Sequence, residues 1–493
     1  MRRSGILLHI TSLPGPGGIG SLGPEARTFV DALSASGVSL WQVLPCGPTG
    51  YGESPYQSPS VFAGNPLMIS EEQLIQDGIL SHAVPAEAYP ESRIDFPRVQ
   101  REKEEMLRRA FLESGKRLSA EVERFAEREP WLSDYALFMA LKEHFGGVKW
   151  SEWPDGDLRF RRRAALRWAR EEMREEIAYH SFVQYLFYRQ WDGLREYCHK
   201  QGVLLFGDMP IYVAEDSADT WSDHRVFQMD RERVPKRVAG VPPDFFSEDG
   251  QLWGNPLYRW QYLRWFRGYD WWVARMRGMS RLYDLVRVDH FIGFANYWSV
   301  PYGAPNARGG KWVKGPGYSL FQKLKREIPE LEIVAENLGE VNDRVRKLLE
   351  KTGYPGMSVL TYGFGGGEDN PHHPDNLVKN CVVYTGTHDN EPCLSYLTRI
   401  PPEELARIRE CYPFADLKDG VRAMVEGCFE SVCDTCVIPM QDILGLGGES
   451  RMNLPGTVGG NWMWRMKPGA FTQEIMEWLH DLNLKTGRIA GND

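Results

Sequence analysis

Three carboxylates end three strand-like runs in this chain. The run Leu285-Val286-Arg287-Val288-Asp289-His290-Phe291 reads as a short buried strand, yet it sets Arg287 and Asp289 on one face, because alternate strand residues point the same way. Charges on the inward face of a buried strand are costly unless they pair or do chemistry. Ile333-Val334-Ala335-Glu336 and Val382-Val383-Tyr384-Thr385-Gly386-Thr387-His388-Asp389 end the same way. Carboxylates gathered at one mouth suit divalent metal binding or glycosyl transfer. His290, His388 and the pair His372-His373 keep the metal reading open, but no H-x-H or H-E-x-x-H spacing supports it. Glycosyl transfer needs one carboxylate as nucleophile and one carboxylic acid to protonate the leaving oxygen. Asp289 and Glu336 end consecutive strands, and parallel strands lie about 4.8 Å apart. That spacing suits the roughly 5–5.5 Å carboxyl separation of a retaining site. Arg287 would keep Asp289 ionised, and Asp289 would in turn raise the pKa of Glu336.

These acids need a frame that brings strand ends together. Strand-like runs begin near Gly5, Ser39, Gly202, Leu285, Glu332, Met357, Cys381 and Cys436, and helix-sized stretches separate them. This spacing predicts a single α/β catalytic unit over residues 1–493, a (β/α)8 TIM barrel whose chemistry sits at the C-terminal mouth. A bare barrel needs about 250 residues, so large insertions follow strands 2 and 3. Residues 55–175 read as a mostly helical insertion. Residues 212–283 read as a second one, centred on the Gly- and Pro-rich loop 240–256 that carries Phe245, Phe246 and Trp253. Neither G-x-G-x-x-G after the first strand nor a P-loop is present, which argues against a nucleotide-binding doubly wound sheet.

Composition narrows the function class. A net charge of −9 with no long basic block argues against nucleic-acid or anionic-membrane partners. No run reaches the ~18 apolar residues that span a bilayer. Eight scattered cysteines predict reduced thiols and a cytoplasmic setting. Cys433-Asp434-Thr435-Cys436 is a lone C-x-x-C that supports no zinc site and only weakly a redox pair. No motif implies a cofactor. Seventeen Trp and 21 Tyr fit either core packing or stacking on sugar rings.

Arg287-Val288-Asp289-His290, Ala335-Glu336-Asn337-Leu338-Gly339 and Thr387-His388-Asp389-Asn390 resemble the three catalytic motifs of the α-amylase clan. More closely, the chain resembles the amylomaltase or 4-α-glucanotransferase family, also called disproportionating enzyme. The likeness runs nearly end to end, through Thr11–Gly15, Trp41–Pro45, Gly47–Gly52, Ser54–Ser58, Gly207–Ile211, Val241–Trp260, Met452-Asn453 and Gly460–Trp462. The resemblance implies Asp289 as nucleophile, Glu336 as acid/base and Asp389 as the stabiliser of the distorted sugar. It implies Arg287, His388 and Asp208 in the same subsite. Tyr56 and Trp253 would stack on glucose rings, with Ser54, Phe246 and Asn461 as further contacts and Tyr51 on a second glucan-contact surface. The substrates it implies are α-1,4-glucans and malto-oligosaccharides, with glucose as an acceptor. The family usually has Asp after the acid/base glutamate, where this chain has Asn337.

Overall fold

The computed structural model describes residues 2–84, 88–243, 247–339 and 341–489. Twelve strands are found among them: β1 (Arg3–Leu7), β2 (Leu40–Gln42), β3 (Leu204–Met209), β4 (Arg237–Val241), β5 (Gln251–Pro256), β6 (Leu285–Val288), β7 (Asn296–Pro301), β8 (Lys311–Lys314), β9 (Glu332–Ala335), β10 (Gly356–Val359), β11 (Cys381–Tyr384) and β12 (Thr435–Pro439). Eight of them form one parallel sheet in the order β10-β11-β12-β1-β2-β3-β6-β9. The seam between its two ends is drawn shut. The Ala335 N–H donates to the Pro355 carbonyl at 2.8 Å, and the Met357 N–H donates to Asn337 Oδ1 at 2.7 Å. The amide at position 337 therefore stitches β9 to β10, which gives that residue a structural task of its own. The eight strands are those expected from the sequence, and they close as a (β/α)8 barrel.

Strand alternation sorts side chains between the interior and the helical layer. Trp41 packs on Phe29 of the helix Pro24–Ala35, ring centroids 5.1 Å apart. Its neighbour Gln42 turns inward and accepts a 2.9 Å hydrogen bond from the Tyr384 hydroxyl across the barrel. Gly207 and Asp208 divide the same way. A Cβ on Gly207 would meet the Tyr283 ring at 2.2 Å, so only glycine lets that ring seat against β3 while Asp208 faces the interior.

The first insertion is helical, as expected. It comprises Phe96–Ser114, Ser119–Arg128, Leu132–His144 and Arg163–Glu172 among its longer helices. The 27-residue helix Arg174–Lys200 runs without a break from the insertion into the barrel layer before β3. Two glutamines on that helix bind the loop after β2. Gln184 exchanges hydrogen bonds of 2.8 and 2.9 Å with the Gly64 N–H and C=O. Gln190 does the same with Ser70, at 2.7 and 3.0 Å. Each amide thus mimics a backbone pair and ties down the segment that carries Tyr56.

The second excursion departs from the expected loop. Segment 240–256 is mostly the hairpin β4–β5, part of a four-stranded antiparallel sheet in the order β5-β4-β7-β8. The strands β7 and β8 follow the fourth barrel strand, so that connection is enlarged as well as the two after strands 2 and 3. Pairing of β4 with β7 joins segments about sixty residues apart, and such partners leave no local periodicity to read.

Candidate active site

Asp208 and Arg287 are register partners on β3 and β6, so both side chains leave adjacent strands on the inward face. Arg287 Nη1 donates to Asp208 Oδ1 and Oδ2 at 2.8 and 2.9 Å. Its Nη2 lies 2.9 Å from Asp289 Oδ1. Burial works against the Arg287 charge, but the two aspartates outweigh it and hold the guanidinium protonated. Burial pushes the Asp208 carboxyl up, and Arg287 opposes that push.

The contacts continue round the mouth. The Tyr56 hydroxyl donates to Asp208 Oδ2 at 2.8 Å and lies 2.8 Å from His388 Nε2. The Tyr56 and His388 rings stack, centroids 5.3 Å apart at 18°. His388 Nε2 is 3.3 Å from Asp389 Oδ1. A continuous path of polar contacts thus runs from Asp289 through Arg287, Asp208, Tyr56 and His388 to Asp389.

Glu336 follows directly on β9 and is buried. Its oxygens accept backbone N–H groups, His290 to Oε2 at 2.7 Å and Leu338 to Oε1 at 2.6 Å. The His290 donor depends on unusual backbone geometry. His290 is left-handed, with φ 49° and ψ 46°, a conformation costly for a residue with a Cβ and frequent at functional sites. That turn aims the N–H at Glu336, while the imidazole packs edge-on against Trp253, centroids 4.9 Å apart at 87°. Burial holds the imidazole down at about 4, hence neutral. Burial also pushes the Glu336 carboxyl up to about 7. Arg287 and the two N–H donors oppose this, and the charge of Asp289 reinforces it. A glutamic acid poised near neutrality can give and take a proton.

Asp389 is fixed by residues that sequence reasoning passed over. Asn453 Nδ2 donates to Asp389 Oδ1 at 2.7 Å, and Arg451 Nη2 donates to the Asp389 carbonyl at 2.9 Å. Behind them, Asp442 anchors the 385–393 loop by accepting from Thr385 Oγ1 at 2.6 Å and the Cys393 N–H at 2.7 Å. The Tyr362 hydroxyl accepts a hydrogen bond from Asn390 Nδ2 at 2.8 Å. Burial pushes this hydroxyl up, and the charges of Asp389 and Glu336 add to the effect. Trp462 tilts against both Tyr56 and His388. Asn453 and Trp462 lie inside the motifs noted above, and that was the one available signal for them.

The remaining expected residues divide. Trp253, on β5, is half-buried and overhangs His290. Ser54 Oγ accepts from the Tyr56 N–H at 3.3 Å and so positions the tyrosine. Asn461 is committed to its own loop, accepting from the Leu454 N–H at 3.0 Å and donating to Thr457 Oγ1 at 3.1 Å. It therefore shapes the turn that carries Asn453 and Trp462. Tyr51 is 78% exposed and stands outside the ring of acids. Phe246 and its neighbour Phe245 lie outside the described residues. Cys433 and Cys436 are buried free thiols. Among the described residues, no helix is long and apolar enough to cross a membrane.

The profile of a family described as 4-alpha-glucanotransferase matches residues 8–472. A 4-alpha-glucanotransferase of Thermus thermophilus is 45% identical over 485 residues, 96% of each chain. One from Clostridium butyricum is 40% identical, covering 98% of this chain and all of that one. The solved amylomaltase of Streptococcus agalactiae, in complex with acarbose, superposes with a TM-score of 0.95 at 37% identity, covering 99% of this chain and 100% of that one. A barrel with Asp289 and Glu336 after consecutive strands, matched over nearly its whole length, places this chain in the 4-alpha-glucanotransferase family.

Proposed function

We propose that the chain transfers α-1,4-glucan segments between malto-oligosaccharides by retaining double displacement. Asp289 attacks the anomeric carbon of the donor and forms a C1–O bond to its carboxylate. Glu336 gives its proton to the departing 4-oxygen as the glycosidic bond breaks. Glu336, now ionised, takes the proton from the 4-hydroxyl of glucose or another glucan. That oxygen attacks C1, displaces Asp289, and leaves the acid reprotonated. Asp389 accepts hydroxyl hydrogen bonds from the distorted sugar, with His388, Asp208 and Arg287 around the same ring. Tyr56 and Trp253 offer apolar faces to neighbouring glucose units, and Tyr51 offers an exposed one on a separate surface.

One observation carries the reading. A buried glutamate raised to about 7 sits one strand away from an aspartate paired to a buried arginine. Those are opposite environments for two neighbouring carboxyls, as an acid and a nucleophile require. Transfer prevails over hydrolysis as the β4–β5 hairpin, which sets Trp253 against His290, keeps water from the intermediate. The free thiols fit a reducing cytoplasm.

The test is incubation with maltotriose. Transfer yields a ladder of longer and shorter products with free glucose. Uniform shortening would mean a hydrolase, and no turnover a binding protein. Asp289→Asn removes the nucleophile and lowers transfer by at least about 10³-fold.

A further inference from the structure

Behind His388 stands a second histidine that the transfer chemistry does not use. Leu7 is the register partner of Gln42, which faces the barrel interior. His9 lies two residues on, with extended backbone (φ −67°, ψ 145°), and so points the same way. It is 6% exposed. The backbone around it is pinned at the end of β1, since the Leu8 N–H donates to the Gln42 carbonyl at 3.0 Å and the His9 carbonyl accepts from the Ser12 N–H at 2.9 Å. His9 lines a cavity of about 20 Å³ together with His388, Gln441 and Arg451. That is room for one water molecule among polar partners.

The contacts fix where the protons sit. Arg287 donates to both oxygens of Asp208, which holds it ionised, and the Tyr56 hydroxyl spends its own proton on that carboxylate. Tyr56 can therefore only accept from His388 Nε2, 2.8 Å away. In the neutral ring this puts the His388 proton on Nε2 and leaves Nδ1 an acceptor. His9 is neutral too, because burial pushes its imidazole down to about 3, with nearby His388 adding to the effect. Its Nδ1 is buried without a hydrogen-bond partner. A buried orphan N–H is rarer than an unpaired acceptor, so the single His9 proton sits on Nε2, the nitrogen left to the cavity.

We propose that His9 is a positioning residue for His388, acting through a water molecule held in this cavity. The His9 Nε2–H donates to the water, and the water donates to His388 Nδ1. This relay locks His388 in the tautomer whose Nε2–H serves Tyr56 at 2.8 Å and Asp389 Oδ1 at 3.3 Å. Without the relay the proton can pass to Nδ1, and the donor is lost from the sugar-binding side of the ring. The inference rests on His388 standing beside the bound sugar, as in the transfer reading above.

Two measurements test it on the full-length enzyme. The first compares kcat and KM for maltotriose in wild type, His9→Leu and His9→Gln. Leucine fills the ring's place with an apolar side chain, while glutamine keeps an N–H close to the position of Nε2. The expected kcat is about tenfold lower in His9→Leu, with KM within about twofold and the melting temperature not lowered. His9→Gln is expected to recover to within about threefold of wild type. A wild-type kcat in His9→Leu would overturn the proposal, and so would a His9→Gln enzyme as slow as His9→Leu. The second measurement needs neither substrate nor a change at His9. Spectra of wild type labelled with ¹⁵N-histidine, with the His388 signals assigned by their loss in His388→Gln, should show His388 as the Nε2–H tautomer. The Nδ1–H tautomer would overturn the proposal even where His9→Leu does not fold. A wild type with this tautomer that makes no ladder from maltotriose would instead count against the transfer reading.

Discussion

The sharpest prediction concerns the proton on Glu336. Raising a glutamic acid from its ordinary 4.5 to about 7 corresponds to about 3 kcal/mol between its two protonation states. At pH 7 about half the molecules then carry the catalytic proton, some 150-fold more than an ordinary glutamate would supply. Above that point kcat/KM for maltotriose should fall about tenfold per pH step, giving an alkaline limb centred near 7. Glu336→Gln should lose about 10²–10⁴ in kcat/KM and lose the limb with it. The variant should still consume a maltosyl fluoride donor, whose leaving group needs no proton.

Stability carries the same signature. Between pH 4.5 and 7 the native chain holds a proton that the unfolded chain has released, so this carboxyl makes the native state less stable as pH rises. Wild type should therefore lose about 3 kcal/mol relative to Glu336→Gln between pH 4 and 8, read by denaturant unfolding at each pH. Whatever fixed offset the amide introduces at the two N–H donors cancels in that difference. A limb that persists in Glu336→Gln, or a stability difference flat with pH, would refute the assignment of this acid.

Other predictions follow from the contacts around the mouth. Asn453→Ala removes a charge-assisted hydrogen bond to Asp389 and should cost about 1.5–3 kcal/mol of transition-state binding, seen as a 10–100-fold lower kcat/KM with the melting temperature unchanged. Tyr56→Phe deletes the hydroxyl between Asp208 and His388 and should lower both activity and unfolding free energy, the latter by about 1–3 kcal/mol. Shortening the tip of the β4–β5 hairpin should raise reducing-sugar release relative to the oligosaccharide ladder by several-fold. An unchanged ratio would end the water-exclusion account.

How much of this was legible in the chain depends on the range of the interaction. The alternation that sets Arg287 and Asp289 inward, and the acids that close β6 and β9, are local and were read from residue order alone. So was the register of Pro24–Ala35, because Phe29, Val30 and Leu33 recur at helical spacing. The antiparallel sheet was not, since its strands pair across tens of residues and earn their stability only once joined. Asn453 meets Asp389 across 64 positions, and Tyr56 meets His388 across 332. No window of sequence contains such a pair.

Backbone direction sets the second limit. His290 follows Asp289 in sequence, and a histidine there suggests a side-chain role. The left-handed turn instead makes its N–H the group that meets Glu336 and sends the ring to Trp253. Asn461 shows the converse, a polar side chain spent on its own loop. The amino-acid order by itself determined the eight barrel strands, which acids follow them and which reaction those acids suit. Only the tertiary structure decided which atoms each acid touches, because a side chain's partner depends on where distant segments arrive and on dihedral angles that residue type alone leaves open.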